Sequence, residues 1–316
     1  MASAWLALAP LVALAVDRRA GEPPVRWHPV AWMGRALGSA SPFVAPHEDD
    51  AAVPSAQRQF FAGAACWIAI AAVVTAIAAA VQALVVLWLP AWAAAPVLGL
   101  LLKPLLAWRM LRDEVRAVET ALADSLDAGR ARLGRLVSRD VARLSAAEVR
   151  ESAIESLAEN LNDSVVAPLF WFAAAGLPGA ALYRFANTAD AMWGYKGSRD
   201  ARVWKWAGKW AARADDALSW LPARATAALI LLLAAAPRAA WRALPAEARR
   251  TPSPNGGWPM GAMALALRIR LAKPGVYVLN GDGDSPVQRH TPLAIAVAGR
   301  AAAAAGLLAV LGAWLA

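Results

Sequence analysis

The chain has 316 residues, 59% hydrophobic and 17% charged, with 16 tryptophans, one cysteine and a formal charge of +9 at pH 7. Positive mean hydropathy, with the apolar residues gathered into long runs, excludes a water-soluble globular domain and describes a polytopic membrane protein. Cys66 alone supports neither a disulfide framework nor a cysteine-based metal centre, and the basic residues lie in loops beside apolar segments, where positive-inside bias explains them better than nucleic-acid binding.

Ser3–Val16 is shorter than a span. No basic region follows Met1, and Asp17-Arg18-Arg19 stands where a signal peptide would carry small residues, so the segment reads as a retained, shallow or buried helix. Asp17–Gln59 reads as a Pro-rich loop. Phe60–Leu89 is the clearest span, about thirty residues without formal charge, which exceeds a hydrocarbon core of ~30 Å and must tilt or protrude. Ala91–Trp108, interrupted by Pro96 and Lys103-Pro104, is a kinked span or a re-entrant hairpin, with a span favoured.

Arg109–Asn162 alternates charged residues with leucine, valine and alanine at helical spacing and reads as an amphipathic hairpin broken near Gly129–Gly134. Glu119 on it belongs to no motif and is expected to be dispensable. Val165–Leu182 contains Pro168, Gly176, Pro178 and Gly179, which predicts a broken or half-inserted helix. Tyr183–Arg213 is a cationic loop whose Trp193, Trp204, Trp206 and Trp210 suit an anionic bilayer surface. Leu218–Ala236 and Pro292–Ala316 are long enough to cross, and Lys103 and Arg300 read as snorkelling cations. Arg238–Asn280 is a further helical or irregular loop. The expectation is one all-α polytopic domain over residues 1–316, with about four to five membrane segments. Its loops 17–59, 109–162, 183–213 and 238–280 are expected on the cytoplasmic side of the cell (inner) membrane.

Four stretches carry patterned polar residues. In Asp17–Gly34, Gly21 and the Pro pair enforce a turn that presents Asp17, Glu22 and His28 together, although a solvated connector explains His28 alone. In Glu151–Pro168, Glu151, Glu155, Glu159 and Asp163 repeat every four residues along one helix face. A solvated face paired with Arg139, Arg143 or Arg150 is the plainer account of that ribbon. Asn160, Asn162 and Asp163 at the membrane junction favour a site for a hard cation or a phosphate, which want clustered oxygens and amides. In Asn187–Lys196, Asn187 and Asp190 fall one turn apart and Gly194 frees the backbone before Lys196. Thr251–Pro259 is too dense in turn formers for a helix and exposes amides and hydroxyls. There is no G-x-x-x-x-G-K-[ST] loop, no G-x-G-x-x-G fingerprint and no Ser-His-Asp arrangement.

In this order the stretches resemble the adenosylcobinamide-phosphate synthase family of cobalamin biosynthesis, the CobD/CbiB family. The residues that carry the resemblance are G-E-P-P…W-H-P-V…M-G at Gly21–Gly34, V-S-R-D at Val137–Asp140, E-S-A-I-E-S-L-A-E-N-L-N-D-S-V-V-A-P-L-F at Glu151–Phe170, N-T-A-D-A-M-W-G-Y-K at Asn187–Lys196, A-D-D…L-P-A-R at Ala214–Arg224 and S-P-N-G-G-W-P-M at Ser253–Met260. The family commonly has aspartate where Glu22 stands, threonine where Val141 stands and glycine where Ser164 stands.

The resemblance implies an ATP-dependent, Mg²⁺-requiring membrane ligase. It would join the free carboxylate of adenosylcobyric acid, the corrinoid partner, to the amine of (R)-1-amino-2-propanol or its O-phosphate. On that reading Glu155, Glu159, Asp163 and Asp190 hold metal; Arg139, Arg184 and Lys196 pair with phosphates or other negative charges. Asn160, Asn187 and Asn255 orient substrate groups, and Asp17, Glu22 or His28 accepts a proton from the attacking ammonium. The rivals are a membrane regulatory or sensor protein on the same scaffold, which needs no intact polar cluster, and a transporter, which places ionisable groups mid-span.

Overall fold

The structure is a computed structural model that describes residues 5–50, 54–137 and 139–315. Ser3, at the start of the first expected helix, Ser138 of the V-S-R-D motif and Ala316 lie outside the described residues. The chain is helical nearly throughout: α1 Ala9–Ala20, α2 Pro29–Val44, α3 Ala56–Trp88, α4 Ala91–Leu102, α5 Trp108–Asp124, α6 Leu126–Leu133, α7 Ala146–Leu161, α8 Ala167–Trp193, α9 Lys209–Leu233, α10 Arg238–Ala248, α11 Gly257–Leu267 and α12 His290–Leu315. Two short antiparallel hairpins interrupt it, β1 Ser198–Arg199 with β2 Arg202–Val203, and β3 Leu271–Lys273 with β4 Tyr277–Leu279. Among the described residues five helical stretches are long and apolar enough to cross a membrane: Ala56–Trp88, Ala91–Asp124, Ala146–Trp193, Lys209–Leu233 and His290–Leu315. The molecule is therefore the multi-pass, all-α membrane protein that the sequence predicts.

The chain divides into two compact units, one comprising Met1–Leu106, Pro168–Leu218 and Ala309–Ala316 and the other Ala107–Ala167 and Ser219–Leu308. In the first, α1 lies against α4 at Gly99, where a Cβ would come within 2.6 Å of Val12 Cβ, so only glycine allows the approach. The 33-residue α3 spans about 50 Å and buries only 11% of its most apolar window, which is tolerable where lipid rather than water covers the rest. Trp67 packs on Phe185 and Trp210, tying α3 to α8 and α9.

The expected break in Val165–Leu182 falls at Ala175 and Gly176, where α8 leaves helical geometry with φ 66° and ψ −157° at Gly176. The freed backbone N–H of Leu177 donates to Gln82 Oε1 of α3 at 2.7 Å, so a half-buried polar side chain replaces the lost helical bond.

In the second unit α7 is nearly all buried, from Glu151 to Ala158, and α5, α6, α11 and β3 pack round it. Ser145 caps it: its Oγ accepts from Glu148 N–H while Glu148 Oε2 accepts from Ser145 N–H at 2.8 Å, a reciprocal capping box. Beyond Leu161 the helix widens into a π-helical segment, Asn162–Val166.

Four expectations change. Asp17–Gln59 is not a loop: Pro29, whose missing N–H costs nothing at a first helical turn, starts α2. The Thr251–Pro259 turn ends earlier than expected, because α11 begins at Gly257. Lys103 does not snorkel; it is 5% exposed and its Nζ lies 3.0 Å from Glu22 Oε2 and 3.5 Å from Asp17 Oδ1. Glu119 is not dispensable by its setting, because it forms a forked pair with Arg150 at 2.8 Å and accepts from Thr291 Oγ1 at 2.6 Å.

Two stability outcomes follow. Gly176→Ala should cost ~1–3 kcal/mol, because that backbone conformation is almost restricted to glycine and the new methyl would meet Gln82 Oε1 at 2.5 Å. Gly197→Ala, which meets nothing within 4 Å, is the control, and detergent melting curves compare them. By the same measurement Glu119→Gln should lose roughly 1–3 kcal/mol, since it leaves the part-buried Arg150 with half its pairing, while Asp127→Asn, whose side chain is 90% exposed, should change little.

Candidate functional site

The site in the second unit grows from the four-residue spacing on α7. Glu151, Glu155 and Glu159 share a face, and the fold buries its first two members instead of solvating them. Glu151, fully buried, accepts from Arg270 Nη2 at 3.0 Å and Nε at 3.2 Å. Glu155, 4% exposed, accepts from Arg139 Nη2 at 2.9 Å, the partner the sequence offers. That leaves Glu155 Oε1 and Arg139 Nε and Nη1 buried without hydrogen-bond partners. Such orphans are rare in folded proteins and mark places where a ligand, ion or water completes the bonding.

These atoms belong to a polar pocket of ≈190 Å³ in which Arg139, Glu155, Glu159, Asn160, Lys273 and Tyr277 converge. Asn160 holds its place by donating from Nδ2 to the Ser156 carbonyl at 2.9 Å and to Ser156 Oγ at 3.2 Å. Lys273 and Tyr277 face each other across the β3–β4 hairpin, so their side chains share one face. The Tyr277 hydroxyl donates to Met260 Sδ at 3.6 Å, and burial, and then the carboxylates of Glu155 and Glu159, push the phenol far above its ordinary value.

A second set of contacts steadies the pocket from the turn before α11. A Cβ at Gly256 would sit 3.0 Å from Glu159 Oε1, so this turn lies directly on Glu159. Ser253 Oγ accepts from the N–H groups of Asn255 and Gly256 at 3.2 and 3.1 Å. Asn255, buried, accepts from Arg224 Nη1 at 3.2 Å, and the Arg224 guanidinium is sandwiched between Trp220 and Trp258 at 4.2 and 4.6 Å. Two residues on, Thr226 Oγ1 donates to Asn162 Oδ1 at 3.1 Å, and Asn162 Nδ2 donates to Asp163 Oδ1 at 2.8 Å. The same helix thus fixes both the turn and the π-helical segment.

The first unit carries its own polar sets. Glu22 Oε2 accepts from Lys103 Nζ and lies 3.1 Å from His28 Nε2, leaving His28 Nδ1 without a partner. Glu22 Oε2 is a shared acceptor, so Nε2 carries the proton and Nδ1 is the basic nitrogen. Asp17 joins the same chain through Lys103, so the turn after Gly21 does bring Asp17, Glu22 and His28 together. On α8, Arg184 Nη1 donates to Asn187 Oδ1 at 3.1 Å, Asp190 accepts the Gly194 N–H on its carbonyl at 2.7 Å, and the exposed Lys196 acts on the charge of Asp216.

Among the described residues no three Asp, Glu, His or Cys side chains gather as a metal-binding group. Of the four carboxylates expected to hold metal, Glu155 and Glu159 share the pocket, Asp163 is bonded to Asn162, and Asp190 lies on α8. A magnesium ion that arrives with substrate phosphates needs only one or two protein carboxylates, and the unpartnered Glu155 Oε1 beside Glu159 fits that need. Sequence reasoning passed over Lys103, Lys273, Tyr277 and Arg270. The hairpin has a readable signal, strand-forming Val276, Tyr277 and Val278 after Pro274-Gly275; the ion pairs have none.

The CobD/Cbib protein family matches residues 10–304. The "Probable cobalamin biosynthesis protein CobD" of Methanothermobacter thermautotrophicus is 38% identical over 282 residues, covering 87% of this chain and 86% of the relative. The "Cobalamin biosynthesis protein CobD" of Chromobacterium violaceum is 42% identical over 271 residues (82% and 79%), and that of Rhodobacter capsulatus is 36% identical over 316 residues (96% and 95%). No solved structure matches the chain. With a match over nearly its whole length and relatives of the same size, the chain belongs to the CobD/Cbib family of cobalamin biosynthesis proteins.

Proposed function

We propose that this protein is an ATP-dependent acid–amine ligase of the cell (inner) membrane, which joins adenosylcobyric acid to (R)-1-amino-2-propanol or its O-phosphate from the cytoplasmic side. The observation that carries the reading is the pocket on α7, where a buried carboxylate oxygen and two buried guanidinium nitrogens stand unpartnered. A regulatory or sensor protein gains nothing from orphaned charged groups, which cost stability. A transporter would need a polar path at membrane depth, and Arg300 lies exposed on α12 while Lys103 is locked between Asp17 and Glu22.

A carboxylate is a poor acyl donor. One of its oxygens attacks the terminal phosphorus of ATP, the bond to ADP breaks, and the resulting acyl phosphate accepts the amine, releasing inorganic phosphate and the amine's proton. Magnesium supplies charge neutralisation on the phosphate oxygens. Arg139 binds negative charge with the nitrogens that Glu155 leaves free, Glu155 and Glu159 offer oxygens to the cation, and Asn160 and Asn255 orient the polar groups of the substrates. Arg184, Asn187, Asp190 and Lys196 are assigned to the substrates' phosphates and amides, and Asp163 to metal or to the segment that carries Asn162. Within the first unit Asp17, Glu22 or His28 is assigned to accept a proton, with Glu22 holding His28 Nε2 and Lys103 joining Glu22 to Asp17.

Purified protein in detergent should form product from adenosylcobyric acid, ATP and the amine. Glu159→Gln should lower kcat/KM about 10²–10³-fold with an unchanged melting temperature, whereas Asp127→Asn should stay within about twofold. Equal losses in both would reduce the carboxylate to a general charge effect. Oxygen-18 in the corrinoid carboxylate should emerge in inorganic phosphate with ADP as co-product; label in AMP would mean an adenylate instead, and amide formed without ATP consumption would remove the ligase reading.

A further inference from the structure

We propose that the Arg139–Glu155 pocket binds a phosphomonoester-type dianion together with one divalent cation, with Lys273 and Tyr277 of the β3–β4 hairpin as ligands of the anion. This rests on the ligase reading only for the origin of the phosphoryl group. At ≈190 Å³ the pocket is smaller than the roughly 300–1,000 Å³ of sites for whole drug-sized ligands, so it takes a phosphoryl group and its counter-ion but neither a nucleoside nor a corrin ring.

Charge decides the rest. The lining carries two cations, Arg139 and Lys273, and two carboxylates, Glu155 and Glu159, with Arg139 and Glu155 already paired at 2.9 Å. Their formal sum is zero. A dianion entering alone would leave a partly desolvated pocket doubly negative, whereas a dianion with a divalent cation leaves it neutral. The unpartnered atoms match that pair: Arg139 Nε and Nη1 are donors for the anion, and Glu155 Oε1, on a side chain 5% exposed, is an acceptor for the cation beside Glu159. Lys273 acts on the charge of Glu155 and reaches the same space from the exposed end of β3.

The hairpin is built to hold those two side chains in place. Lys273 and Tyr277 are paired in register across the turn Pro274–Val276, where Gly275 has φ 72°. Arg270, directly before β3, is pinned to the buried Glu151 one turn of α7 before Glu155, and Leu271 and Leu279 are buried. The Tyr277 hydroxyl lines the pocket and donates to Met260 Sδ at 3.6 Å, a weak bond that it can exchange for one to an anion.

The test uses Mn²⁺ as the cation and inorganic phosphate as the anion, on the full-length protein in detergent, with bound Mn²⁺ measured by loss of the free-ion EPR signal. Phosphate should tighten Mn²⁺ binding at least about tenfold, and by linkage Mn²⁺ should tighten phosphate binding equally. Lys273→Ala and Tyr277→Phe should abolish that enhancement while keeping the weak phosphate-free binding, and Glu159→Gln should lose Mn²⁺ itself. Melting temperatures certify that each variant is folded, and the conservative Tyr277→Phe keeps the test open if Lys273→Ala is not. Competition by a non-hydrolysable ATP analogue identifies the nucleotide as the phosphoryl source, and competition by aminopropanol O-phosphate identifies the amine. Mn²⁺ affinity indifferent to phosphate, or enhancement that survives in both hairpin variants, overturns the proposal. Ligation by a wild-type protein that lacks the coupling defeats this pocket assignment alone, and coupling without ligation defeats the ligase reading alone.

Discussion

Burying charge inside α7 is the constraint on which the second unit depends. Glu151 and Glu155 sit one turn apart in a helix covered on nearly every side, and a carboxylate removed from water is stable only with a matched partner and additional hydrogen bonds. Each recruits an arginine: Glu151 takes Arg270 from 119 residues away, and Glu155 takes Arg139 from the segment just before α7. These pairs place the hairpin and the segment around Arg139 on the helix, and the pocket is the space between them. Replacing either pair with apolar residues would keep a core and remove the charge that lines the pocket.

The same economy governs the membrane segments. Where a helix is broken, a polar side chain from a neighbour takes over the freed backbone group, as Gln82 does for Leu177. Where a cation lies beside apolar helices, carboxylates meet it, as Asp17 and Glu22 meet Lys103. Glu22 also lies 3.1 Å from His28 Nε2, so one buried lysine ties Asp17 to the Glu22–His28 pair. The turn before α11 works alike: Arg224, stacked between Trp220 and Trp258, spends one donor on Asn255, and the turn thereby rests on Glu159.

Much of this was legible in the sequence. Apolar runs of span length predict membrane helices because lipid leaves the backbone no other way to bond itself, and glycine with proline inside one run predicts its break. The break came at Gly176 because only glycine adopts that backbone conformation without strain. The four-residue acidic spacing and the ordered motifs pointed to the family, and family membership follows from the comparisons. Arg139 was a named partner of the ribbon, and it does pair with Glu155.

Tertiary structure alone decided what those charges do. Glu119 and Lys103 looked incidental because their partners, Arg150 and Thr291 for one, Asp17 and Glu22 for the other, lie 31 to 172 residues away, and no local pattern encodes such pairings. Asp17–Gln59 looked like a loop because proline counts the same in a turn and in a first helical turn until the neighbours are known. Lys273 and Tyr277 reach the pocket only through a hairpin that the partly exposed Arg270 ties to the buried Glu151. Local patterning fixes which segments are helices and which faces carry charge; which charge meets which is fixed only when burial forces every carboxylate to find a donor.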